Sequence, residues 1–168
     1  MRKLLDGLYA SCGWLAGLSM IGVLAMVLLT IVSRLFGFAA PGTDSYAGYA
    51  MAGAGFLALA STLKKGEHIR VTLVLGMLKG RAHRGLEITA LAAAVLLSGF
   101  LAWFSLRLVW QSWELEDLSV GIDATPLWIP QLSMALGCVV FCIAFVDEFI
   151  SELLGHRVPV QNKEAHHE

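Results

Sequence analysis

The sequence predicts an all-α integral membrane protein: four transmembrane helices, with a short interfacial amphipathic helix between the second and the third. Three observations predict it. First, Leu8–Ser33, Ser45–Leu63, Ile88–Leu106 and Ala124–Val146 contain no carboxylate, amine, guanidinium or imidazole. Each is as long as the roughly 17–25 residues a helix needs to cross the hydrocarbon core. Second, charged residues make up 15 % of the chain, well below the soluble norm of about 25 %. Third, an apolar segment too short to span lies between the second and third stretches, with basic residues on both sides. A chain of 168 residues suits one membrane domain and leaves no room for a second folded one. The expected organisation is a single four-helix domain over 1–154, with spans 8–33, 45–63, 88–106 and 124–146. The interfacial segment covers 67–79, and a polar tail covers 155–168.

The first span follows Arg2 and Lys3, which resemble the basic start of a signal peptide. Its apolar run is far longer than the roughly 7–15 residues of a signal core, so a retained helix is expected. Gly13 and Gly17 form a GxxxG pair in it. The second span is small-residue-rich: Ala47, Gly48, Ala50, Ala52, Gly53, Ala54, Gly55, Ala58 and Ala60. In lipid, helices associate by close packing, and small residues mark the faces that touch. A helix small on every side has more contact surface than a four-helix bundle uses, which points to a partner membrane protein.

The segment from Lys64 to Leu78 is the most distinctive. On a helical wheel Ile69, Leu73 and Met77 fall together, and Val71, Val74, Leu75 and Leu78 widen the arc. Thr72, Gly76 and Lys79 make a narrow polar strip. This fits a helix lying in the interface, its charges among anionic headgroups. Arg70 falls inside the apolar arc, where it either snorkels or meets a specific acceptor. His68 is an interfacial hydrogen-bonder or a functional ligand.

The third span repeats small residues every four positions at Ala90, Ala94, Ser98 and Ala102. Beyond it lie the acids Glu114, Glu116, Asp117 and Asp123, surrounded by Trp103, Trp110, Trp113 and Trp128. Such a ring of tryptophans is expected to anchor at a membrane–water interface. In and beside the spans, Cys12, Cys138 and Cys142 are too few and too odd in number for a disulfide framework. Two thiols four residues apart without a third ligand make no metal site. They read as small apolar packing residues.

Orientation follows from the 12 lysines and arginines. Four crossings put both termini and the middle loop on one side. That side holds Arg2, Lys3, Lys64, Lys65, Arg70, Lys79, Arg81, Arg84, Arg157 and Lys163, against Arg34 and Arg107 on the other. The positive-inside rule therefore predicts cytoplasmic termini. The spans hold no acid or histidine to relay protons, chelate a metal or ligate a haem. A small proton-coupled exporter needs such a residue in the membrane, and a cytochrome-like anchor needs axial ligands. His68, His83, His156, His166 and His167 all lie outside the spans; the last two belong to the tail. The chain therefore reads as a subunit of something larger, and no cofactor or nucleic acid is expected.

Several motifs, in order, carry a family resemblance. The first span exits through Ile31-Val32-Ser33-Arg34-Leu35-Phe36-Gly37, and a short loop with Pro41 follows. After the second span comes Lys64-Lys65-Gly66-Glu67-His68-Ile69-Arg70-Val71. The fourth is entered through Thr125-Pro126-Leu127-Trp128-Ile129-Pro130. In this order, over nearly the whole chain, they resemble the small membrane subunit of tripartite ATP-independent periplasmic (TRAP) transporters. The sequence departs from the family at the start of the second span. The usual tryptophan and paired acids are replaced by Pro41-Gly42-Thr43-Asp44-Ser45-Tyr46, where Asp44 stands in for one acid and the tryptophan is missing.

The resemblance implies a small permease subunit in the bacterial inner membrane. A periplasmic substrate-binding protein would capture an organic acid. A large TRAP membrane subunit would carry substrate and coupling ions, usually sodium. The small subunit would serve as scaffold. On this reading Arg34, Asp44, Gly53, Gly55, Lys64, Lys65, His68 and Arg70 are expected at a subunit or anionic-lipid interface. Glu114, Glu116, Asp117 and Asp123 are expected to face the binding protein. The competing reading is a free-standing structural or regulatory subunit of another membrane complex.

Overall fold

The computed structural model describes residues 2–64, 81–121 and 124–154. The described residues are all-helical, with an isolated bridge between Leu118 and Pro126 as their only β pairing. The helices are α1 (Arg2–Phe36), α2 (Thr43–Lys64), α3 (Arg81–Glu114) and α4 (Trp128–Leu153). All four are long and apolar enough to cross a membrane. The expected interfacial segment, 67–79, and the tail, 155–168, lie outside the described residues.

The ends of the helices follow from local chemistry. α1 stops where Gly37 takes a left-handed backbone, φ 69°. The amide of Phe38 donates to the Ser33 carbonyl at 3.1 Å, closing a glycine-terminated C-cap. Gly42, at φ 82°, completes the turn into α2. Thr30 then ties the hairpin by donating from its Oγ1 to Thr43 Oγ1 at 2.8 Å. α3 ends in the same way, with Asp117 donating to the Ser112 carbonyl at 3.0 Å. Here the left-handed position is held by Glu116, φ 53°. α4 starts four residues later than the charge-free stretch. Before it, residues 117–121 pair with 124–127, the Ser119 amide donating to the Thr125 carbonyl at 2.8 Å and the Leu127 amide to that of Asp117 at 2.9 Å. Pro130 fits in the first turn of α4, where amides have no intrahelical acceptor. α4 then runs past Asp147 and Glu148, because propagation needs no apolar side chains once the helix is established.

The packing is a row rather than a closed bundle. α1 packs on α2, α2 on α4, and α4 on α3, with a small α1–α4 contact. Contacts fix the register. Gly13 faces Ser61, Gly22 faces Ala50 and Thr30 meets Thr43, so α1 and α2 are antiparallel. Ser105 meets Cys138 near the middle of α3 and α4, and Asp117 meets Leu127 beyond their ends, so these two are antiparallel as well. Gly53 faces Ser133, Gly137 faces Phe56 and Lys64 meets Asp147, so α2 and α4 run parallel. Two hairpins are therefore joined side by side through α2 and α4.

The core lies where three helices meet. Tyr9, Cys12 and Ala16 of α1 pack with Leu57, Ala60 and Leu63 of α2 and with Val140 and Ala144 of α4. The closest approach is at Gly137. A Cβ there would lie 2.5 Å from the carbonyl carbon and oxygen of Phe56, so the two backbones touch. The α3–α4 contact buries Ser98, Ala102, Ser105 and Ser112, with Ser105 donating to Cys138 Sγ at 3.4 Å. Cys12 and Cys138 are buried free thiols, and Cys142 is a half-buried one. Outward, α1 exposes Trp14, Leu18 and Ile21, and α3 exposes Leu96, Leu97, Phe100 and Trp103. An apolar exterior of that extent suits lipid or a membrane partner rather than water.

Candidate functional interface

The expected interface residues fall into distinct environments. Arg34, at the end of α1, and Asp44, in the first turn of α2, are exposed at the end of the row that carries the α1–α2 and α3–α4 connections. Asp44 there complements the positive end of the helix dipole. Gly53 and Gly55, two residues apart, point in opposite senses. Gly53 is buried inside the chain: a Cβ would lie 3.3 Å from Ser133 Oγ and 3.5 Å from Ser19 Oγ. This places Gly53 in an internal contact rather than on an outer face. Gly55 is exposed and has nothing within 4 Å. It forms part of a shallow groove of about 540 Å³ along α2, with Gly48, Met51, Ala52, Phe56 and Leu59. The GxxxG pair of α1 divides likewise. Gly13 meets Ser61 at 3.4 Å, and Gly17 has open space.

Lys64 pairs within the chain. Its Nζ lies 3.0 Å from Asp147 Oδ2 and 5.6 Å from the centre of the Tyr9 ring, within range of a cation–π attraction. One ammonium thus ties α1, α2 and α4 together at the end opposite the connections. The Tyr9 hydroxyl beneath it is buried with no hydrogen-bond partner among the described residues. Lys65, His68 and Arg70 lie outside the described residues. We expect Lys64→Asp to lower the unfolding temperature of the detergent-solubilised chain by a few degrees, because it sets two carboxylates against each other. The exchange Lys64→Asp with Asp147→Lys should recover most of that loss, and thermal unfolding followed by circular dichroism reads both.

At the connection end, Glu114, Glu116 and Asp117 are exposed, and Asp123 is outside the described residues. Their loop is docked. Tyr49 donates its hydroxyl to Ser119 Oγ at 2.7 Å, and Thr125 Oγ1 lies 3.4 Å from Tyr46 Oη. The two tyrosine rings meet edge-on, with centroids 6.0 Å apart. Tyr46 and Tyr49 therefore hold the acidic loop against the start of α2, a role the sequence reading missed. So did it miss Asp147 and Gly137. Asp147 carried a signal, since it and Lys64 are the first charges after two charge-free runs. Among the described residues no three His, Cys, Asp or Glu side chains are grouped to hold a metal ion.

Residues 23–155 match the family model described as tripartite ATP-independent periplasmic transporters, DctQ component. The chain belongs to that family. It is the small membrane component of a TRAP transporter, and membership implies association with other TRAP components. A comparison with curated proteins gave no match. The match begins within α1 and runs through α4, so it covers the α2–α4 contact and the docked acidic loop.

Proposed function

We propose that this TRAP subunit is the scaffold of a secondary transporter that imports an organic acid through the bacterial inner membrane. Its partners are a large membrane subunit, which carries substrate and sodium, and a periplasmic binding protein. Both termini are cytoplasmic, so the acidic α3–α4 loop faces the periplasm. The single observation that carries the scaffold role is the absence of Asp, Glu, His, Lys and Arg from residues 8–33, 45–63, 88–106 and 124–146. Acids, bases and histidines within the membrane mark ion pathways and proton relays, and a chain without them in its spans leaves that role to another subunit. The row packing supports the same reading, because it leaves both outer helices and one face of α2 available to a partner. The loop acids, held by Tyr46 and Tyr49, form a fixed platform for the binding protein.

Reconstitution tests this. The purified chain alone in liposomes should accumulate no organic acid under a sodium or proton gradient. Adding the large subunit and the binding protein should produce sodium-dependent uptake. Uptake by the chain alone would overturn the scaffold role, and sodium-independent uptake by the full assembly would overturn the coupling ion.

A further inference from the structure

Arg107 follows the charge-free run Ile88–Leu106 directly. In a membrane-spanning α3 it therefore sits where hydrocarbon gives way to headgroups. It is exposed and makes no hydrogen bond or ion pair among the described residues. A guanidinium at that depth draws an anionic oxygen pair, which it holds with its planar fork.

Arg107 also lines a groove of about 340 Å³ between α3 and α4. Leu101, Phe104 and Leu108 of α3 and Met134 of α4 make its apolar wall, and Gln111 lines it with Arg107. Positions along α3 run parallel to depth. Leu101 and Phe104 lie on the hydrocarbon side of Arg107, and Gln111 lies one turn toward the loop. Glu114 comes next on the same face, seven residues from Arg107, and is exposed. The order along this face is thus apolar, positive, amide, negative. Trp103, Trp110 and Trp113 are exposed on the same helix, and Trp110 and Trp113 meet edge-on at 5.7 Å. Such rings hold the depth of a helix at the headgroup level.

We propose that this groove binds one phospholipid of the leaflet at the α3–α4 loop end, and that it selects a phosphoethanolamine headgroup. The acyl chain lies along Leu101, Phe104 and Met134. The phosphate is held by Arg107, and the ammonium points outward to Gln111 and Glu114. Charge complementarity decides the headgroup. A phosphate with an ammonium beyond it matches a cation with a carboxylate beyond it, whereas a phosphatidylglycerol head brings no cation to Glu114. This site lies at the opposite end of the helices from Lys64. It rests on α3 spanning a membrane and not on the transport reading.

Native mass spectrometry of the full-length chain in mild detergent tests it, with phosphatidylethanolamine, phosphatidylglycerol or inorganic phosphate added in separate arms. The wild type should retain one phosphatidylethanolamine in preference to phosphatidylglycerol. Arg107→Gln should weaken retention about tenfold, the scale of one lost charged contact. Met134→Trp, which fills the apolar end and leaves Arg107 intact, should also expel the lipid. Glu114→Lys should turn the preference toward phosphatidylglycerol. Arg84→Gln, near the other end of α3, should leave retention of this lipid unchanged. Unchanged retention in both Arg107→Gln and Met134→Trp would overturn the site. Equal retention of the two lipids by the wild type would overturn the headgroup assignment. Displacement of the lipid by inorganic phosphate at equal concentration would show a simple anion site and overturn the lipid.

Discussion

Replacing Gly137 with alanine should destabilise this chain more than the same change at any other described helical glycine. A Cβ at Gly137 lands 2.5 Å from the carbonyl carbon and oxygen of Phe56 and 2.9 Å from its Cβ. Two of those three atoms are backbone, so no rotamer change relieves the clash. α4 must move away from α2, and the three-helix core of Tyr9, Leu57 and Val140 opens with it. Overpacking in a core typically costs about 1–3 kcal/mol, and a backbone obstacle puts this site at the top of that range or above it. Gly137→Val should prevent recovery of a folded, monodisperse chain. Gly99→Ala in α3 is the control: nothing lies within 4 Å of that position, and alanine is the better helix former by about 1 kcal/mol. Thermal unfolding in detergent should therefore show a large fall for Gly137→Ala and no fall for Gly99→Ala. Equal unfolding temperatures would mean that α2 and α4 do not meet at this glycine.

Gly137 also shows why the contact map is harder to read from sequence than the helices are. Four charge-free runs are enough to place four spans, because charge is costly in hydrocarbon and little else makes a run so long. The runs do not mark helix ends. α1 begins at Arg2 and α3 extends from Arg81 to Glu114, since a helix continues through the headgroup layer with polar residues. The fourth span is displaced toward the C-terminus because Pro126 belongs to the folded-back loop rather than to the helix. Small residues announce close packing, but a motif does not name its neighbour. The every-four pattern of α3 illustrates this. Four residues turn a helix by about 400°, so a strict repeat drifts by about 40° at each step. Ala90 is exposed, and burial is established at Ser98 and continues through Ala102, Ser105 and Ser112, at steps of four, three and seven. Gly137 follows Ser133 at a small-xxx-small spacing, but that spacing does not name Phe56 as its neighbour. The acidic loop was legible as a group of charges. Its docking on Tyr46 and Tyr49 was not, because it depends on contacts across about seventy residues of chain, as in the Tyr49–Ser119 bond.

The second large effect separates two glycines of one helix. Gly53→Leu and Gly55→Leu add the same side chain to α2, two residues apart, yet should fail in different ways. At Gly53 the added carbon meets Ser133 Oγ at 3.3 Å and Ser19 Oγ at 3.5 Å. The rest of a leucine has nowhere to go between α1, α2 and α4, so the chain itself should lose stability and yield. At Gly55 there is open space, and leucine fits without disturbing the fold. It does fill the groove shared by Gly48, Ala52 and Leu59. That groove lets a second helix approach the α2 backbone closely, which is what drives association in lipid. If the large subunit packs there, Gly55→Leu should leave thermal unfolding of the isolated chain unchanged and cut co-purification of the large subunit by about tenfold, equivalent to about 1.4 kcal/mol of lost packing. Gly17→Leu, on the open side of α1, provides a comparison at a different outward face. Loss of the partner from Gly17→Leu with retention in Gly55→Leu would move the subunit contact from α2 to α1. Retention in both would place it on α3 or α4. Loss with Gly55→Leu alone fixes it on α2, on the face opposite the one that Gly53 turns to Ser19 and Ser133.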